Sequence, residues 1–251
     1  MTEEKSAGYV RLVESFDEPG CPICRCVVRE SRSHLDAILY EQVTDPDTRR
    51  ALRASWGFCN WHTWMLLEIK HAGFGSAIVY EDLLRLALEL IGRLEVAPPR
   101  RRSWLSALFG RRRRPAAGDG YPRRNGCPVC VTAADAERRY VDTLVRLFDD
   151  GDLLAAYGRS DGLCVSHLLA AAGTEAPWVP RLVARTRSHF SRVRGELQSF
   201  IGKHDHRNRE PFTAAEADSY TRAFTLLAGA RGIFGNHLHR LPPPGPRPTQ
   251  D

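Results

Sequence analysis

The sequence predicts an all-α protein made of duplicated helical-hairpin units, and three observations carry that prediction. First, six of the seven cysteines fall into two matching sets: Cys21-Pro22-Ile23-Cys24 with Gly57-Phe58-Cys59-Asn60-Trp61-His62, and Cys127-Pro128-Val129-Cys130 with Gly162-Leu163-Cys164-Val165-Ser166-His167. The second set follows the first by 105 or 106 residues throughout, the mark of an internal repeat. Second, apolar residues between the motifs recur at helical spacing. Third, no alternating run bounded by turn residues reads as a β-hairpin.

The elements follow in order. Met1 to Val10 is polar and acidic and lacks the basic and apolar regions of a secretory signal. Arg25 to Val43 reads as a helix, with Val27, Val28, Leu35, Ile38, Leu39 and Val43 apolar. Asp45-Pro46 is an N-cap followed by proline at the first helical position, so a second helix runs to about Ser55. His62 opens a helix through Ile69, and Ser76 to Leu94 is the next. The second half repeats this with Val131 to Phe148, a shorter return through Leu153 to Tyr157, and the long basic helix Val179 to Ile201. Thr213 with Glu216 has the spacing of a capping box and starts a last helix to about Ala230. The chain divides into a first repeat (1–96), an Arg/Pro/Gly-rich linker or insert (97–126), a second repeat with C-terminal helices (127–231) and a Pro-rich tail (232–251) expected to be disordered. The two repeats are expected in a pseudo-twofold arrangement.

C-x2-C plus C-x2-H is the ligand pattern of a closed tetrahedral zinc site. The eight candidate ligands are Cys21, Cys24, Cys59, His62, Cys127, Cys130, Cys164 and His167. A two-residue gap turns both cysteine sulfurs onto one ion. The i, i+3 spacing of Cys59/His62 and Cys164/His167 puts both side chains on one helical face. Two zinc ions are expected, with an iron–sulfur cluster as the alternative. A thioredoxin-like use of the CxxC needs a strand before it, and Asp17-Glu18-Pro19-Gly20 stands there instead. The first helix travels roughly 29 Å from Cys24, while about ten helical and six extended residues span about 35 Å on the way back. A hairpin can therefore clasp its own ion. An exchanged arrangement, with the CPxC of one repeat serving the GxCxxH of the other, satisfies the same pattern. Cys26 has no counterpart, since Thr132 holds its register, and reads as a core thiol. Asp36 and Asp142 match in register and read as helix-packing anchors.

Charge is unevenly placed. The chain carries +6 and a pI near 9.1. Residues 97–126 hold nine arginines and one acid, Asp119, a net +8, so the remaining residues sum to −2. The basic balance thus describes the insert and not the helical repeats. There Arg100-Arg101-Arg102 and Arg111 to Arg114 flank a short apolar segment, and an anionic surface, nucleic acid or lipid, is the partner it would fit. Only three of the 36 cations are lysines, which points to genome composition and discounts any single arginine as a signal. No uninterrupted apolar run reaches membrane-spanning length.

Lys203-His204-Asp205-His206-Arg207 is a candidate polar site, able in principle to bind an anion or hold a metal, or to be simply the polar end of a helix. No P-loop, GxGxxG, GxSxG or HExxH motif occurs, and a closed four-ligand site leaves no open position for substrate. The paired CPxC and GFCxxH-type halves, with Lys203 to Arg207 and the Thr213 to Tyr220 helix start, resemble an uncharacterised bacterial family known only as a domain of unknown function. The resemblance implies the duplicated all-helical fold and no activity. The expectation is a cytoplasmic, non-catalytic, zinc-stabilised scaffold or binding protein with an unknown protein partner. An iron–sulfur or thiol-based electron or sulfur carrier, and a nucleic-acid-associated regulator using the insert, are the alternatives.

Overall fold

The computed structural model describes residues 6–96, 126–173, 176–205 and 207–233. Among these residues the chain forms eleven α-helices and one 3-10 turn, with no strand. The first helix, α1 (Ala7–Ser15), was not among the sequence expectations. Ser6 caps it, accepting from the Tyr9 amide, and Tyr9, Leu12 and Phe16 line its buried side at i, i+3 and i+7. Four helices then follow in the same order in each half. The first series is α2 (Pro22–Tyr40), α3 (Pro46–Ser55), α4 (Asn60–Met65, continued by the 3-10 turn Leu66–Glu68) and α5 (Gly73–Val96). The second is α6 (Pro128–Arg146), α7 (Gly151–Arg159), α8 (Val165–Ala172) and α9 (Val179–Lys203).

Local chemistry sets these boundaries. α2 and α6 start at the proline of each CPxC, whose fixed φ suits a first helical turn and whose missing N–H is not needed there. Asp45 accepts from the Thr48 amide at 2.7 Å, and Asp150 from the Asp152 and Leu153 amides, to start α3 and α7. The expected last helix is two: α10 (Ala214–Ala217), with the Thr213/Glu216 capping box complete, and α11 (Ser219–Ala228). The break falls at Asp218, where the buried Ser219 hydroxyl turns back to the Glu216 carbonyl. None of the described helices is long and apolar enough to cross a membrane.

The helices sort into two compact units, Met1–Ser31 with Thr132–Asp251, and Arg32–Val131. The first is built on Phe16, Phe148, Tyr157 and Trp178, whose rings meet at 4.9 to 5.7 Å, with Leu12, Leu144, Leu153 and Leu182 around them. Tyr157 is anchored by donating to the Leu182 carbonyl at 2.8 Å, and α9 covers α8, α10 and α11. The second unit packs Leu35, Ile38, Leu52, Phe58, Met65, Val79 and Leu83. Its α3 and α5 are tied by Asp82, which accepts two bonds from Arg53 (2.6 and 2.7 Å) and pairs with Arg85 and Arg49.

Candidate metal centres

Cys21 precedes α2, and its carbonyl accepts the first helical bond, from the Arg25 amide at 3.2 Å. Cys24 lies one turn on. Cys164 is the N-cap of α8, and His167 sits in that helix's first turn. The three sulfurs lie 3.3, 3.4 and 3.2 Å from His167 Nδ1, and Cys24 and Cys164 Sγ are 3.8 Å apart. All four donors are buried and within 4.8 Å of one another. The Ala230 amide also donates to Cys24 Sγ at 3.4 Å.

The second cluster has the same form. Cys127 precedes α6, Cys130 follows in its first turn, and Cys59 caps α4, accepting from the His62 amide. Sγ of Cys59, Cys127 and Cys130 lie 3.3, 3.5 and 3.4 Å from His62 Nδ1, and Cys130 and Cys59 Sγ are 3.6 Å apart. Cys130 alone of the eight donors is half-buried rather than buried.

Two helix N-termini thus converge on each cluster, and their partial positive charge favours thiolates. The crowded groups share protons rather than titrating singly. Cys164 is held far below the ordinary thiol range by donation from Cys21 and Cys24, and Cys59 likewise by Cys127 and Cys130. The donors Cys24 and Cys130 are pushed up in exchange, chiefly by Cys164 and Cys127 respectively. Burial opposes a charged His167, but the Cys164 and Cys21 sulfurs and Glu137 outweigh it and raise the ring to about 12. The same contest at His62, with Cys127 and Cys59, raises it to about 9. Each cluster is an electron-rich, closed donor set that can hold a metal ion.

The pairing answers the question the spacing left open. Closure of each hairpin on its own ion, one of the two arrangements the pattern allowed, is not adopted. The CPxC of each repeat meets the GxCxxH of the other: Cys21 and Cys24 with Cys164 and His167, Cys127 and Cys130 with Cys59 and His62. The reason lies in the return path. A 19-residue helix carries the chain about 28 Å from its CPxC, and the ten residues of α3 recover only about 15 Å of rise. The residues counted on as extended are instead coiled into turns at 41–44 and 56–58. Each cluster accordingly lies wholly within one compact unit.

Supporting residues fix both motifs. Gly57 (φ +81°) and Gly162 (φ +78°) hold left-handed backbone just before each cysteine. Ser55 and Ser160 match in register, both buried, and bind the turn: Ser55 Oγ donates to the Gly57 carbonyl at 2.8 Å, and Ser160 Oγ accepts from the Gly162 amide at 3.1 Å. The motif is therefore S-x-G-x-C-x-x-H, and its serine was readable from the same register. Two further residues had no such signal. Glu137 meets His167 Nε2 at 3.0 Å, where an outer carboxylate would orient the imidazole if it held a metal. Asp161 accepts from the Gly20 amide at 2.9 Å, joining the loop before Cys21 to the loop before Cys164.

Lys203 pairs with Glu216 at 2.9 Å and caps the Pro211 carbonyl at 3.1 Å, His204 bonds back to the Phe200 carbonyl and stacks on Phe200 and Phe212, and Asp205 caps the Arg207 amide. His206 falls outside the described residues. Cys26 is a buried core thiol, raised to about 11 mainly by burial. Asp36 and Asp142 are exposed, and Asp142 pairs with Arg146, so neither packs helices as expected. The Arg-rich stretch 97–125 and residues from 234 on lie outside the described residues.

An all-helical fold carrying two closed Cys3His donor sets defines a class of protein, a helical protein with candidate metal centres. The chain belongs to the family of unknown function DUF6062, which matches residues 8–232. It is similar to an uncharacterized 23.9 kDa protein from the xynA 3' region of Caldicellulosiruptor sp. (strain Rt8B.4), 23% identical over 228 residues that cover 88% of this chain and 100% of that protein. No solved structure matches the chain significantly.

Proposed function

We propose that the chain is a cytoplasmic, non-catalytic scaffold or binding protein whose two units are each closed by one zinc ion. The observation that carries this reading is the donor geometry. A tetrahedral zinc with bonds of about 2.3 Å to sulfur and about 2.0–2.1 Å to nitrogen spaces its ligand atoms about 3.5–3.8 Å apart. The eight donor separations given above run from 3.2 to 3.8 Å, and all donors of each cluster lie within 4.8 Å of one another. An iron–sulfur cluster ligates through several irons and keeps its ligand atoms further apart than one ion does. A full four-donor set also leaves no coordination position for a substrate. Exposed apolar residues at helical spacing, Leu84, Leu88 and Ile91 on α5, support a binding role.

The test is metal analysis of protein purified without oxygen, with a visible spectrum. The reading expects about two zinc ions per chain and no colour. Brown protein carrying iron and sulfide would replace zinc with the cluster alternative, and full secondary structure without any metal would overturn both.

A further inference from the structure

The two centres are alike in donors but unlike in cover. Cys21, Cys24 and Cys164 are 3%, 0% and 0% exposed, whereas Cys59 and Cys127 are each 8% exposed and Cys130 is more open still. His167 is held on its far ring nitrogen by Glu137, whereas among the described residues no carboxylate bonds to His62, whose Nδ1 faces the three sulfurs. Cys24 Sγ accepts an amide N–H from Ala230, which both shields it and withdraws electron density. Among the described residues no amide N–H is donated to Cys130 Sγ, whose neighbour Cys59 Sγ stands 3.6 Å away.

We propose that the Cys59/His62/Cys127/Cys130 centre is an oxidisable, releasable metal site, with Cys130 as the thiolate oxidised first, and that the Cys21/Cys24/Cys164/His167 centre is fixed. The proposal rests on the reading of each cluster as a single zinc site. The oxidant is hydrogen peroxide. The Cys130 thiolate attacks one peroxide oxygen, the O–O bond breaks, hydroxide leaves and takes a proton as water, and Cys130 becomes a sulfenic acid. The Cys59 thiolate then attacks the Cys130 sulfur, the S–O bond breaks, a second hydroxide is protonated to water, and a disulfide forms. Two thiolates lose two electrons in total and peroxide is reduced to two waters. The sulfurs must close from 3.6 Å to about 2.05 Å. Only Cys127 and His62 remain as donors, too few to retain the ion. A dithiol reductant reverses the step.

The experiment takes the full chain, measures its zinc first, and then adds hydrogen peroxide with a chromogenic zinc chelator present. About half of the zinc is expected to leave at least about tenfold faster than the rest, the scale on which outer-shell support acts. Peptide mapping of the wild-type protein at that point should find Cys130 linked to Cys59, with Cys21, Cys24 and Cys164 still reduced. Cys130→Ser should abolish the fast phase, and the mapping holds the proposal to account even if that variant folds poorly. Simultaneous loss of both ions, or earlier oxidation of Cys21, Cys24 or Cys164, would overturn this proposal and leave the zinc reading intact. Protein without metal at the outset would overturn both.

Discussion

His167 is gripped from two sides, by three sulfurs on Nδ1 and by Glu137 on Nε2. The carboxylate fixes which nitrogen faces the sulfurs and makes that nitrogen a better donor. Glu137→Gln should therefore weaken metal binding at this centre about 10- to 100-fold, with the other centre unchanged, measured by competition with a chromophoric chelator. The eight clustered cysteines and histidines were legible because their spacing repeats. Glu137 was not, because it is one acid on an exposed-looking turn of helix, and only the fold brings it to a histidine 30 residues on. Glu216 is a second residue whose importance is set by neighbours: Ser199, the Thr213 amide and Lys203 pull its carboxyl down to about 2. A depressed carboxyl stabilises the fold fully above its ordinary value of 4.5, and that contribution is lost as pH falls towards 2. The Tm gap between wild type and Glu216→Gln should thus be widest above pH 4.5 and close on acidification. A gap independent of pH would contradict this assignment.

At the scale of elements, the periodic helices were readable and their ends were displaced by a few residues. α2 and α6 begin at proline, three residues before the expected start, because a CPxC proline belongs to the first turn and not to the loop. α1 went unread because nine residues give its apolar stripe barely two turns in which to show a period. The turns that deliver Cys59 and Cys164 look equivalent in sequence, yet their surroundings differ. A Cβ at Gly57 would meet the end of the Leu83 side chain at 2.8 Å, whereas one at Gly162 would meet Thr186 Oγ1 at 2.9 Å and its Cα at 3.1 Å. Leu83 can swing aside; the α9 backbone cannot, and Thr186 also holds the Leu163 amide and Tyr157. Both substitutions carry the left-handed penalty of about 1–2 kcal/mol. Gly162→Ala adds about 1–3 kcal/mol of overpacking, so it should destabilise clearly more than Gly57→Ala in denaturant titrations. Equal losses would mean that α9 yields at this point.

At the scale of the whole molecule, the two cysteine–histidine motif pairs were legible and their pairing was not, because C-x2-C plus C-x2-H describes either arrangement equally well. What decides is length: a straight helix of 19 residues separates each CPxC from the GxCxxH that follows it in sequence. The consequence is that a metal ion held in either cluster would clip together residues far apart in the chain, Cys24 with Cys164 in one cluster and Cys59 with Cys127 in the other. The pairing can be read from stoichiometry in full-length variants. Cys21→Ser with Cys164→Ser strikes one centre twice and should leave about one ion per chain. Cys21→Ser with Cys59→Ser strikes both centres once each and should leave close to none. Self-closed hairpins invert the result, since Cys21 and Cys59 would then share a site and Cys21 and Cys164 would not. Metal loss should also carry a stability cost, because the free energy of binding at such centres is free energy of folding. The Cys21/Cys59 pair should therefore melt at lower temperature than the Cys21/Cys164 pair, although each removes the same number of thiols. That difference comes from the exchange of half-sites and has no counterpart in the composition of the chain.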